Sequence, residues 1–167
     1  MRRILPINPN TGKPYLPATT LTDYCYGNMF AGCTSLVTAP ELPATTLASS
    51  CYSSMFDGCT SLVTAPELPA TTLASSCYNG MFSGCTSLVN APELPATTLA
   101  SSCYYRMFGN CSSLNNIKML ATDISASRCL TGWVIKVSPT GTFVKSAGVE
   151  IPSGNSGIPN GWAVIEE

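Results

Sequence analysis

The sequence predicts an α/β repeat solenoid in which each coil has one short helix and one short parallel strand, with a β-rich cap at the C-terminal end. Three observations lead to this prediction: a 26-residue period, an apolar pattern within each repeat, and a proline-bounded extended stretch after it. Near-identical units suit a stack, since each coil contacts only copies of itself. The period is set out most clearly by two cysteine series, Cys25, Cys51, Cys77, Cys103 and Cys129, and Cys33, Cys59, Cys85 and Cys111.

The apolar residues of one unit predict its helix. They recur at positions i, i+4, i+5, i+8 and i+9, which we interpret as one face of a helix that a glycine ends. The stretch "VTAPEL" follows and predicts a strand that would pair in parallel with its copies. In the second unit the residues concerned are Leu47, Cys51, Tyr52, Met55, Phe56 and the terminating Gly58.

The period also predicts three domains. Residues 1–15 form an irregular N-terminal lead-in, and residues 16–130 form the solenoid of four to five coils. Residues 131–167 contain short β-prone runs separated by turn sequences, which predict a cap or a junction to a further domain. Trp133 and Trp162 are its expected apolar anchors.

Composition excludes two classes of partner. The 167 residues are 45% hydrophobic but only 10% charged, and the net charge is −1. Binding to nucleic acid needs clustered Lys and Arg, which are missing here. No apolar run approaches the roughly 20 residues of a membrane span, and the run after Arg3 stops at Pro6, too early for a signal-peptide core. We therefore expect no membrane insertion and see no export signal in this chain.

Each unit has an aromatic residue, a Gly-Cys-x-Ser-Leu block and a strand that ends in proline. In this pattern the units, from Leu16 to Cys129, resemble the BspA-like leucine-rich repeats of bacterial surface proteins. The resemblance implies a right-handed leucine-rich-repeat solenoid at the cell surface with a role in adhesion, and it implies no shared catalytic residues. The block "LASSCYSSMF" and the absence of a visible export signal depart from the family pattern. In the second unit the matching residues are Phe56, Gly58, Cys59, Ser61, Leu62, Pro66 and Pro69.

The nine cysteines admit several interpretations. Structural zinc sites usually have Cys-x2–4-Cys spacing, whereas this chain has Cys-x7-Cys and no histidine. Disulfides, within a pair such as Cys51 and Cys59 or between coils, remain an alternative in an exported protein. We favour two columns of buried free thiols, because unmodified cysteine packs as a small hydrophobe. A catalytic thiol would need a neighbouring base, and none is evident.

Two sets of repeated polar residues form the candidate ligand face. The Thr/Asn column and the Glu column lie in the predicted strand and are expected to point outward. The glutamates would lie about 5 Å apart in a stack, and a bound calcium ion could relieve the repulsion between their charges. Solvated side chains are the simpler interpretation. The tyrosine and phenylalanine columns could stack on sugars, but core packing is expected. The face comprises Thr38, Thr64, Asn90, Asn116, Glu41, Glu67 and Glu93.

The sequence therefore predicts a non-enzymatic binding or adhesion module without catalytic, metal or cofactor sites. Its expected partner is a host or bacterial surface protein or a glycan, and the isolated chain is expected to be a monomer. The predicted location is the bacterial cell surface or the secreted fraction. A structural or receptor-binding module of a bacteriophage tail or fibre is the main alternative, and a passive spacer is another.

Overall fold

The fold was established with a computed structural model that describes residues 4–167. Regular structure in that range consists of three strands: β1 (Asn116–Met119), β2 (Thr142–Lys145) and β3 (Ala163–Glu166). They form one parallel sheet in the order β1-β2-β3. The described chain contains no helix and is mostly turn and irregular structure. The prediction of an α/β leucine-rich-repeat solenoid, with a helix in every coil, is therefore wrong.

A ribbon of consecutive turns occupies the place of each predicted helix. Every second amide closes a local turn, as that of Met55 does onto the carbonyl of Tyr52, three residues earlier (3.2 Å). The amides between them donate to the following unit, as that of Phe56 does to the carbonyl of Met81 (2.9 Å). We call these segments turn ribbons; they comprise residues 24–32, 50–58, 76–84, 102–110 and 128–136.

Left-handed residues explain why the ribbon is not a helix. In the second ribbon Ser50, Ser54 and Gly58 have φ of 53°, 52° and 70°. An α-helix needs right-handed φ at every residue and bonds each amide to the carbonyl four positions earlier. A left-handed residue at every fourth position rules out both conditions. The apolar residues at i, i+4 and i+8 follow this four-residue repeat and not the 3.6-residue period of a helix.

The 26-residue units stack on one another in register. Outside the named strands, parallel bridges join equivalent residues of neighbouring units, such as Thr20 with Thr46 and Thr38 with Thr64. The ribbons are joined by the alternate amides, which point along the stack. Each unit therefore relies on its neighbours for about half of its ribbon hydrogen bonds, and the sequence period is a physical repeat.

Columns of identical side chains fill the core. Successive phenylalanine rings stack with centroids 5.5, 5.6 and 5.7 Å apart, and the tyrosine rings stack alongside them. Trp133 ends both columns, 6.1 Å from Tyr104 and 6.0 Å from Phe108. Trp133 and Trp162 are buried, as expected of apolar anchors, and Trp133 lies in the last turn ribbon. The aromatic columns are core packing, as expected.

Different segments cover the two ends of the stack. At the N-terminal end the lead-in makes a turn at residues 8–13, and Tyr15 then forms a parallel β-bridge with Glu41. At the C-terminal end residues 153–158 lie against the last ribbon, where Ser156 Oγ accepts from the amide of Gly132 (3.0 Å). The lead-in thus covers part of the extended side of the first unit, and the final loop covers the ribbon side of the last one. The predicted domain division stays a prediction.

None of the residues from 4 to 167 lies in a helix that is long and apolar enough to cross a membrane.

Candidate functional site

A groove of about 470 Å³ lies on the extended side of the first two units. Thr38 and Thr64 line it together with Glu41 and Glu67, and the lead-in adds Lys13. Alanine and proline side chains complete its wall. We call this the Thr–Glu groove; it combines hydroxyl, carboxylate and ammonium groups on an apolar floor.

Backbone pairing between units positions the two threonines. The amide of Ala39 donates to the carbonyl of Thr64 (3.1 Å), and the amide of Val63 donates to the carbonyl of Val37 (2.9 Å). These bonds hold the two extended segments side by side, so that equivalent residues repeat along the groove. The groove therefore presents the same types of side chain once in each of the two units.

Strand-like alternation positions the glutamates. From Pro66 to Ala70 the residues are alternately buried and exposed, with Leu68 only 3% exposed and Glu67 exposed. Extended backbone points successive side chains to opposite sides. The "PELPA" sequence therefore buries Pro66, Leu68 and Ala70 and exposes Glu67 and Pro69, without any helix or long strand to support it.

The three glutamates have different environments. Glu41 Oε2 accepts hydrogen bonds from Asn8 Nδ2 (2.7 Å) and Thr11 Oγ1 (3.0 Å). Glu93 lies 3.7 Å from Lys118 Nζ. Glu67 forms no hydrogen bond or ion pair with any other residue in the range 4–167. Its exposed carboxylate is thus free to accept a hydrogen bond from a ligand.

Within the described part of the chain, no three Asp, Glu, Cys or His side chains are grouped to hold a metal ion.

The groove collects four of the seven predicted ligand-face residues. Thr38, Thr64, Glu41 and Glu67 line it. The other three lie further along the stack and do not contribute to it; they are Asn90, Asn116 and Glu93.

The sequence reading missed the contribution of the lead-in. Lys13 and Thr11 line the groove, although residues 1–15 were expected to be irregular. The signal was available, because "PYLPATT" from Pro14 matches "PELPATT" from Pro40. In this alignment Lys13 corresponds to Ala39, which lies one 26-residue period later in the sequence.

The thiols contribute packing and not reactivity in the inner units. Seven of the nine cysteines are buried, which confirms the predicted columns there, but Cys25 and Cys33 are exposed. Burial raises the pKa of Cys51 to about 11 and the pKa of both Cys103 and Cys111 to about 12. The thiolate is the reactive form, so these residues stay inert at neutral pH.

The second cysteine series has a further structural role. Each inner thiol donates to the carbonyl of a phenylalanine in the preceding unit, as Cys85 Sγ does to Phe56 (3.2 Å). Cys59 and Cys111 make the same contact with Phe30 and Phe82 (3.1 and 3.0 Å). Cysteine thus fills an apolar space and satisfies a second lone pair of the carbonyl.

Comparison of this chain with known protein families, with curated proteins and with solved structures gave no match.

Proposed function

We propose that this chain is a non-enzymatic binding module that recognises a polar surface polymer, a protein or a glycan, through the Thr–Glu groove. The observation that carries the proposal is the convergence of Thr38, Thr64, Glu41 and Glu67 on one groove. All four belong to the ligand face that the sequence predicts. A bacterial cell surface or secreted location is part of the proposal.

The chemistry of the groove supports a neutral or mildly cationic ligand. Two threonine hydroxyls can donate and accept, and Glu67 can accept from ligand hydroxyl or N–H groups. Glu41 is held by Asn8 and Thr11, so its free oxygen is oriented before a ligand arrives. Oriented groups lose less entropy on binding.

Exposed valines support contact with a macromolecule. Val37, Val63 and Val89 are 54%, 52% and 39% exposed, and the first two adjoin the groove threonines in sequence. A column of apolar residues beside a polar groove is the arrangement of an interface with mixed character. Because the units repeat, weak contacts to a repeating ligand could add along the stack.

A binding screen with groove variants tests the proposal. The folded, monomer-checked chain is applied to arrays of matrix proteins, glycans and whole bacterial cells, and the best ligand is titrated. Thr64→Ala combined with Glu67→Gln should weaken saturable binding about tenfold or more, because lost hydrogen bonds to a ligand cost about 1–3 kcal/mol.

The matched control changes the same residue types away from the groove. Thr140→Ala combined with Glu150→Gln alters two exposed residues and should leave the affinity unchanged. Equal losses in both double variants would contradict the assignment of the groove. A folded chain that binds none of the three classes would favour the spacer or the bacteriophage interpretation instead.

A further inference from the structure

The first turn ribbon exposes side chains that the other ribbons bury. Met29 is 45% exposed, whereas its counterpart Met55 is fully buried. Cys25 is exposed and Cys51 is buried. Tyr24, at the same end, is 70% exposed. The ribbon side of the first unit is therefore an uncovered version of the interface that joins all other units.

The backbone at this face carries unused acceptors. In the second ribbon the carbonyls of Cys51, Ser53 and Met55 each accept an amide from the first ribbon at 2.9 Å. The equivalent carbonyls of the first ribbon receive no hydrogen bond from any residue in the described range 4–167. We call this row of carbonyls the acceptor edge; it comprises the carbonyls of Cys25, Gly27, Met29 and Ala31.

The first unit also has an unused thiol donor. Cys59, Cys85 and Cys111 each donate to a phenylalanine carbonyl of the preceding unit. Cys33 occupies the same position in the first unit and makes no such bond within the described chain. An occupant that fits would therefore offer alternate N–H donors and one carbonyl near Cys33.

Hydrogen-bond polarity argues against a second copy of the chain. Two acceptor edges cannot pair with each other, because neither has free amides. The opposite end of the stack has the amides, but the final loop takes two of the four: Gly132 donates to Ser156 Oγ (3.0 Å) and Val134 to the carbonyl of Asn155 (3.3 Å). A second copy stacked head to tail therefore cannot offer the complete row of donors that the acceptor edge accepts.

We propose that the acceptor edge is a docking site for a partner polypeptide segment that adopts the same turn ribbon. The segment donates every second amide to the carbonyls of Cys25, Gly27, Met29 and Ala31. Its aromatic and methionine side chains lie on Tyr26, Met29 and Phe30, as those of neighbouring units do elsewhere in the stack. This site is separate from the Thr–Glu groove, so either proposal can fail alone.

Binding of a ribbon peptide tests the proposal. The probe is a fluorescently labelled synthetic peptide with the sequence of residues 44–69, titrated with the whole chain and followed by anisotropy. We expect saturable binding that Met29→Glu weakens at least tenfold, since it places a carboxylate beside the carbonyl row. Val164→Glu, which changes a residue of similar exposure (47%) in β3, should leave the affinity unchanged.

A modified peptide tests the hydrogen bonds themselves. N-methylation of the peptide at Tyr52, Ser54, Phe56 and Gly58 removes the four donated amides and should abolish binding. The urea midpoint of the Met29→Glu chain should match that of the original chain, which separates docking from folding.

Three outcomes would overturn the proposal. They are no saturable binding at any soluble peptide concentration, equal affinity for the Met29→Glu chain, and equal affinity of the N-methylated peptide. Self-association of the chain that Met29→Glu abolishes would assign the edge to a second copy and would also contradict the argument from hydrogen-bond polarity.

Discussion

The first and third turn ribbons have nearly the same sequence and opposite exposure. "CYGNMFAG" begins at Cys25 and "CYNGMFSG" begins at Cys77, with the same Cys, Tyr, Met, Phe and final Gly. Met29 is 45% exposed and Met81 is fully buried. The same residue is a surface residue in one unit and a core residue in another. Burial in this chain is therefore a property of the stack and not of the unit.

Local conformation, in contrast, does not change between the two ribbons. Gly32 and Gly84 have φ of 72° and 71°, and both ribbons close their turns with the same local hydrogen bonds. The turn is thus encoded within each unit, while the hydrophobic free energy depends on a neighbour. The two contributions can be separated by matched changes in the first and inner ribbons.

Alkaline pH should give the largest difference between inner and first units. The folded-state pKa of the inner thiols is raised by burial, to about 11 for Cys51 and about 12 for Cys103 and Cys111. Their contribution is fully present below the unfolded pKa of about 8.5 and is lost as the pH rises toward the folded value. At about pH 10 each such thiol should lower the free energy of unfolding by roughly 1–2 kcal/mol, and the inner thiols together should lower it by several kcal/mol.

Urea unfolding at a series of pH values measures this loss. The double variant Cys25→Ser, Cys33→Ser is the control, because both side chains are exposed. It should show the same alkaline loss as the original chain. A free energy of unfolding that stays constant up to about pH 10.5 would mean that the inner thiols are not buried as protonated groups.

Removal of one ring from the phenylalanine column should have the next largest effect. Phe82 is fully buried and stacks on Phe56 and Phe108, so Phe82→Ala should cost about 3–5 kcal/mol. Phe30 is half-buried and stacks on Phe56 alone, so Phe30→Ala should cost about 1–2 kcal/mol. Denaturant midpoints with unchanged slopes provide the comparison. Equal costs would show that the first unit is covered in solution.

Part of the fold was predictable because it depends on repetition alone. The 26-residue period and the aromatic and cysteine columns follow from equal spacing, which the sequence displays directly, whereas the tryptophans were expected to be buried because they are the largest apolar residues of the non-repeated segment. The helix was predicted wrongly because Cys51, Tyr52, Met55 and Phe56 match a helical face approximately. Strict spacing by four was the discriminating signal, together with serine or glycine at the left-handed positions of the second and third ribbons, and the left-handed φ that serine adopts here is rare.

The candidate site was predictable in its residue types and not in its extent. Thr64 and Glu67 were selected because they lie in the extended stretch of each unit at positions expected to face outward. The sequence did not show that the lead-in holds Glu41, or that Lys118 lies beside Glu93. Those contacts involve non-repeated segments, whose packing follows from tertiary structure that no period describes.

Replacement of serines by glycine should have the smallest effect and tests the ribbon itself. Ser54 has a φ of 52°, a region that glycine adopts without the steric cost of a Cβ atom, so Ser54→Gly should raise the free energy of unfolding by about 0.5 kcal/mol. Ser53 has no positive φ, so Ser53→Gly should lower the free energy of unfolding by roughly 0.5–1 kcal/mol through backbone entropy. The opposite signs, measured by urea unfolding, distinguish a ribbon from the helix that the sequence predicted. In a helix both positions would be interior, and both glycines would destabilise the protein by a similar amount.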